Sequence, residues 1–175
     1  KPLYGTNPLA FAWPREGEEP MCFDQASAVM ARGEVMIAAR EGHSLPEGVG
    51  IDANGNATTD PNEILKGALL PYGGYKGASI AMMIELLCGA LIGEQMSFEA
   101  AAQDNNDGGP PRGGEFILAI APNSGAVSNS AERLFAEICA QDNCRLPGDG
   151  RRAKRSYTEA NGVQIPEELY EKITA

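Results

Sequence analysis

Apolar positions in this chain gather into a few short blocks separated by polar turns, and one block dominates. Residues 80–92 (IAMMIELLCGALI) are apolar but for Glu85. A helix that is apolar on nearly every face is a buried one, and this run is too short to cross a bilayer. Immediately before it stands Pro71-Tyr72-Gly73-Gly74-Tyr75-Lys76-Gly77. The remaining elements are shorter. Residues 21–23 read as a short strand ending at Asp24. The weakening helical period over 25–39 predicts a helix, a break at Arg32-Gly33-Glu34 and a short element after it. Residues 46–61 read as a loop in which Asn54-Gly55 makes a two-residue turn. Pro61 suits the first position of a helix over 61–70. Ser97-Phe98-Glu99 opens a short helical or irregular piece, and 103–114 (QDNNDGGPPRGG) is a loop. Residues 115–121 (EFILAIA), apolar nearly throughout, predict a central strand. Leu134, Phe135 and Ile138 form one stripe of a helix over 129–140. Glu167 and Glu168 suit the N-terminus of a last helix over 166–174. Strands and helices mix without regular alternation and without an internal repeat, which predicts an α+β fold.

Three segments carry chemistry. In the first, the glycines before Lys76 permit positive φ or close approach of a ligand. Lys76 adds a cation where the first N–H groups of a helix are free, an arrangement suited to an anion. The same residues also suit an ordinary glycine turn with a solvated lysine. The pattern matches neither a Walker loop nor G-x-G-x-x-G. The second segment is Gly150-Arg151-Arg152-Ala153-Lys154-Arg155, a basic cluster in a glycine-rich stretch. Guanidinium forks pair with phosphate oxygens bidentately; a solvated basic loop or an interdomain contact would look the same. In the third, Asp24 follows an apolar strand and precedes Gln25-Ala26-Ser27. A carboxylate there can orient a histidine, accept from a ribose hydroxyl, or cap the next helix. His43, the only histidine, lies in a loop with no partner acid or nucleophile pattern and reads as a surface residue.

Composition narrows the classes. The 175 residues suffice for a core without staples. A formal charge of −10 argues against nucleic acid and anionic membrane surfaces as partners. Cys22, Cys88, Cys139 and Cys144 show no zinc spacing, so no metal site is expected. Without a secretory signal or long apolar span, the expectation is a cytoplasmic protein. The opening KPLYGTNPLAFAWP lacks an initiator methionine and reads like the middle of a fold, which suggests the C-terminal part of a longer polypeptide.

The motifs together resemble those of the malate/L-lactate dehydrogenase family with the non-Rossmann NAD(P) fold. Gly5-Thr6-Asn7-Pro8 is similar to that family's G-T-N-P turn, and Asp24-Gln25-Ala26-Ser27 stands where the family has Asp-Met-Ala-x-Ser. Residues 42–46, 52–61 and 67–77 follow the family's later patterns in order and at family spacing. The Phe-Asp-Gln-Ala-Ser-Ala-Val-Met-Ala-Arg-Gly variant resembles the branch that reduces Δ1-piperideine-2-carboxylate and Δ1-pyrroline-2-carboxylate. The resemblance implies a mixed, largely antiparallel sheet flanked by helices, with a cofactor-binding domain over 1–155 and a C-terminal helical segment over 156–175. It implies hydride transfer from NADPH to a small imino or 2-oxo acid, in a homodimer. By position, Asp24, Gln25, Ala26, Tyr75 and Lys76 would contact the cofactor, Asp24 would also serve catalysis, and Thr6 would lie beside the substrate. Gly150, Arg151, Arg152, Lys154 and Arg155 would take the 2′-phosphate that distinguishes NADP from NAD. Two departures stand out. Gln25 replaces a methionine, and the family's catalytic histidine belongs to an N-terminal region not represented here, a role His43 does not inherit. The expected partner is therefore that missing N-terminal part.

Overall fold

A computed structural model describes residues 2–104, 112–121 and 127–174; part of the expected 103–114 loop lies outside them. The chain divides into two compact units, Lys1–Ala10 with Asp24–Ile120, and Phe11–Phe23 with Ala121–Ala175. The elements are helices and small sheets, an α+β composition. Strands β1 (Leu9–Trp13) and β2 (Met21–Gln25) form a two-stranded sheet.

In the first unit, β3 (Gly50–Ile51) pairs antiparallel with β4 (Ala57–Thr58) on one side and β5 (Ala68–Leu69) on the other. The β3–β4 hairpin turns at Asn54-Gly55 as expected, with Gly55 N–H donating to the Asp52 carbonyl. Helix α2 (Pro61–Lys66) starts where Pro61 predicted, behind an Asp60 cap that accepts from Asn62 N–H at 2.8 Å. Helix α1 (Arg32–Glu41) corrects the expected break at residues 32–34. Gly33 falls in the exposed first turn, where the missing side chain costs no packing, while Val35 and Ala38 one turn apart are buried. The residues before it, expected to be helical, form no helix: β2 ends at Gln25, and 26–31 is an irregular segment with one isolated bridge at Ala28. The core joins α1 and α2 through Val35, Ala38, Leu45, Val49 and Ile64, with Met30, Leu65 and Leu69 packed against it.

Two further expectations meet a different outcome. The apolar run forms helix α3 (Tyr75–Glu85) and then a π-helical turn, Leu86–Ala90. It is not buried all round: Gly77, Ala81, Ile84 and Gly89 face inward, but Met82, Leu86 and Leu91 are 50, 52 and 63% exposed. Residues 115–121 pair with no strand among the described residues, and Ile117, Leu118 and Ile120 are exposed. A strand needs a neighbour to satisfy its backbone, and the described residues of the first unit supply none here. Helix α4 (Ser97–Ala102) follows the π turn.

The second unit contains α5 (Val127–Cys139), α6 (Asp149–Asn161) and α7 (Glu167–Thr174). Residue 155, the expected end of the cofactor-binding domain, lies inside α6. Phe23 stacks on Phe11 at 5.7 Å between ring centroids. Arg15 grips Glu132 of α5 bidentately, at 2.8 and 2.6 Å, and its guanidinium lies 5.3 Å from the centroid of the buried Phe135 ring. No helix among the described residues is long and apolar enough to cross a membrane.

Arg15 holds the Glu132 carboxyl below the usual carboxylate range, chiefly through its hydrogen bonds, with desolvation opposing. A depressed folded-state pKa stabilises the fold above the unfolded value of about 4.3, and that contribution is lost as pH falls through the folded value. Thermal unfolding of the parent and of Glu132→Gln should therefore differ at about pH 6, and the difference should shrink as pH falls below about 4.3 towards the lower folded value. A difference independent of pH would show that the carboxylate charge is not what the pair uses.

Candidate functional site

Backbone geometry draws three of the sequence motifs together at one buried residue, Ser27, 3% exposed. Its N–H donates to the Thr6 carbonyl at 2.8 Å and its hydroxyl to the Asn7 carbonyl at 2.7 Å, holding the Gly5-Thr6-Asn7-Pro8 turn. Its own carbonyl accepts from Tyr72 N–H at 3.1 Å, holding the start of the glycine turn. Ala28 and Pro71 form an antiparallel bridge beside it, and Val29 N–H donates to the Leu70 carbonyl. Thr6, Asp24–Ala26 and the approach to Lys76 are thus fixed to one another by main-chain hydrogen bonds and the Ser27 hydroxyl. Ser27 was not among the predicted site residues.

Local chemistry then decides how each side chain is presented. Thr6, Asp24 and Gln25 are exposed, while Ala26 is half-buried. One use of Asp24 falls away: the next helix begins at Arg32, its N-cap is Ala31, and no side chain caps it. Gly73 and Gly74 both adopt positive φ, 57° and 62°, so the turn needs glycine there. Gly77 is needed for another reason, since a Cβ would lie 2.1 Å from the Tyr72 carbonyl oxygen. The α3 N-terminus has no side-chain cap and no acid in its first turn, leaving its partial positive charge uncompensated. Lys76 is exposed at that end, beside Tyr75, which is 79% exposed.

The basic cluster belongs to the second unit and corrects the expected loop. Gly148, at φ 95°, turns the chain into α6, which carries Gly150 to Arg155 in its first two turns. Gly150 is compatible because the helix is pinned by side-chain bonds. Arg152 donates to Asp149 at 2.5 Å and to the Pro20 carbonyl at 2.9 Å. Arg151 approaches the Cys22 sulfur at 3.1 Å, and Arg155 pairs with Glu159 one turn on. Helical spacing sets Arg151, Lys154 and Arg155 on one exposed stripe, apart from the half-buried Arg152. His43 is exposed, 3.7 Å from Glu41. A recess lined by Gly93, Glu94, Gln95, Glu99, Ala102 and Gln103 contains none of the predicted site residues.

Similarity to known proteins agrees with these motifs. The family model for malate/L-lactate dehydrogenase matches residues 1–174. The chain belongs to this family. It is 46% identical over 179 residues to a Δ1-pyrroline-2-carboxylate reductase of Pseudomonas fluorescens, covering 99% of this chain and 53% of the relative. Among solved structures, it resembles Δ1-piperideine-2-carboxylate reductase from Pseudomonas syringae pathovar tomato. There the TM-score is 0.80 at 38% identity, over 98% of this chain and 53% of the other. It also resembles sulfolactate dehydrogenase from Methanocaldococcus jannaschii, with TM-score 0.77 at 30% identity, over 98% of this chain and 51% of the other. The chain spans about half the length of the curated relatives it matches.

Proposed function

We propose that this chain is the coenzyme-binding half of an NADPH-dependent reductase that converts a small cyclic imino acid, Δ1-pyrroline-2-carboxylate or Δ1-piperideine-2-carboxylate, to the L-amino acid. The observation that carries the reading is the junction at Ser27, which joins the G-T-N-P turn, the Asp24 segment and the glycine turn in a chain 46% identical to a pyrroline-2-carboxylate reductase. Further polypeptide completes the enzyme. The uncovered apolar face of α3 and the unpaired residues 115–121 support this, as does the length of the relatives. A non-Rossmann coenzyme fold, a cytoplasmic homodimer and a proton donor contributed by the additional polypeptide belong to the same proposal.

The residues present suit a nicotinamide dinucleotide. The uncapped α3 N-terminus and Lys76 offer a positive end for phosphate, and Tyr75 offers an exposed ring for stacking. Gln25 and Ala26 present main chain and a small side chain beside Asp24. When bound, NADPH supplies a hydride to the carbon of the C=N bond. The ring nitrogen of the imine is protonated before that transfer, so the substrate carries positive charge near the reacting carbon. Asp24 stabilises that charge, and Thr6 orients the substrate. A 2-oxo acid lacks this charge and requires a proton at the carbonyl oxygen during reduction. The likeness to sulfolactate dehydrogenase favours that second reading, and parallel assays on both substrate classes separate the two.

In the complete enzyme, following NADPH consumption, imino acid should turn over and Asp24→Asn should lower kcat by about tenfold or more, the value of one charge-assisted interaction. Unchanged turnover in the variant would remove Asp24 from the chemistry, and reduction of 2-oxo acids alone would overturn the substrate class.

Among the cations of α6, Arg152 is half-buried on Asp149 and Pro20, whereas Arg151, Lys154 and Arg155 share an exposed stripe, so the 2′-phosphate falls to these three. Lys154→Ala with Arg155→Ala should weaken NADPH binding about tenfold or more in a fluorescence titration and leave NADH unchanged. Equal losses for both nucleotides would mean that the stripe does not read the 2′-phosphate.

A further inference from the structure

Glu85 is the one charged residue of the apolar run, and no motif reading used it. It ends α3, half-buried, where the helix passes into the π turn. A carboxylate there needs compensating donors, and it has them. Asn7 Nδ2 donates to its Oε1 at 2.8 Å, Ser97 N–H to its Oε2 at 2.9 Å, and the Ser97 hydroxyl lies in very short contact with Oε1. Asn7 is the buried member, 7% exposed. Its Nδ2 also donates to the Ala81 carbonyl at 2.9 Å, its Oδ1 lies 3.1 Å from the Ser97 hydroxyl, and its carbonyl accepts from Ser27.

The backbone of Asn7 is held at φ 40°, a left-handed conformation uncommon outside glycine. Such a conformation persists where surrounding contacts over-determine it, and here both N–H groups of the Asn7 amide are used, one on α3 and one on Glu85, while its Oδ1 faces the Ser97 hydroxyl. The preceding turn packs onto the same group. A Cβ on Gly5 would lie 3.0 Å from the Ser97 hydroxyl and 3.2 Å from Asn7 Oδ1. The placement of Thr6, one residue before Asn7, therefore depends on a carboxylate 79 positions away in sequence that does not touch the site face.

We infer that Glu85 is a positioning residue: acting through Asn7, it fixes the left-handed turn that presents Thr6 to the substrate. This rests on the assignment of Thr6 under the proposed function, but the geometric part stands on the turn alone. Glu85→Gln keeps the size of the side chain and sets an amide N–H₂ against the donors of Asn7 or Ser97. Asn7→Asp sets a second carboxylate against Glu85. Combining the two restores a donor–acceptor pair with a single charge.

Two readouts test this on the complete enzyme. In steady-state kinetics, Glu85→Gln and Asn7→Asp should each lower kcat about tenfold or more with the KM for NADPH little changed, and the double variant should recover part of the loss relative to Asn7→Asp, the Ala81 carbonyl remaining without its donor. In hydrogen exchange, the Ser27 amide, which donates to Thr6, should lose protection in Glu85→Gln while amides of α1 keep theirs. Unchanged kcat in both single variants, or a melting temperature that falls with kcat intact, would overturn the inference. If the parent enzyme turns over no imino acid, the proposed function fails, and the exchange result alone then decides: loss of Ser27 protection supports the positioning role and retained protection overturns it.

Discussion

The pairing of Ser27 with the Thr6-Asn7 turn is the constraint on which the candidate site depends. One buried serine uses its amide, hydroxyl and carbonyl together, and each bond reaches a different motif or a different atom of the same turn. Buried backbone groups left unpaired are costly, so the three segments cannot separate without leaving several such groups unsatisfied at once. The segments that present Asp24, Thr6 and Lys76 are loops and element ends, yet they are held like parts of a sheet. Function placed on loops that a rigid scaffold fixes is a common arrangement.

Around this junction the two ends of α3 have different tasks. The N-terminal end is open, glycine-led and positive, and the glycines are there because the turn needs left-handed backbone and an approach to Tyr72 that a Cβ would block. The C-terminal end carries Glu85, which ties the helix to Asn7 and Ser97. Between the ends, the helix turns Gly77, Ala81 and Ile84 inward and leaves Met82 and Met83 outward. That outward apolar face is what the proposed additional polypeptide would cover, and the curated relatives are about twice as long as this chain.

Much of the local structure was legible in the sequence, and the misses share a cause. Asn54-Gly55 and Pro61 act through their own dihedral preferences, so the hairpin and the start of α2 appeared where expected. Gly33 was read as a break and Gly150 as part of a glycine-rich stretch, yet both fall in first helical turns where glycine is tolerated and neighbouring bonds decide the outcome. The apolar strand over 115–121 and the all-round burial of α3 presupposed partners that the described residues do not include. For the site, G-T-N-P, Asp24-Gln25-Ala26-Ser27 and the glycine turn were visible as motifs. Ser27 and Glu85 were not visible as a hub and a brace, because their partners lie far along the chain: 78 residues separate Asn7 from Glu85. Glu85 did leave one trace, as the single charge in an apolar run.

The most direct test is hydrogen exchange across the complete enzyme with and without NADPH, read on peptides covering residues 4–8, 24–29 and 71–77. If the junction at Ser27 organises one coenzyme site, all three peptides gain protection together as NADPH saturates the protein. Protection confined to one of them, or appearing only elsewhere while NADPH is bound, would contradict the account.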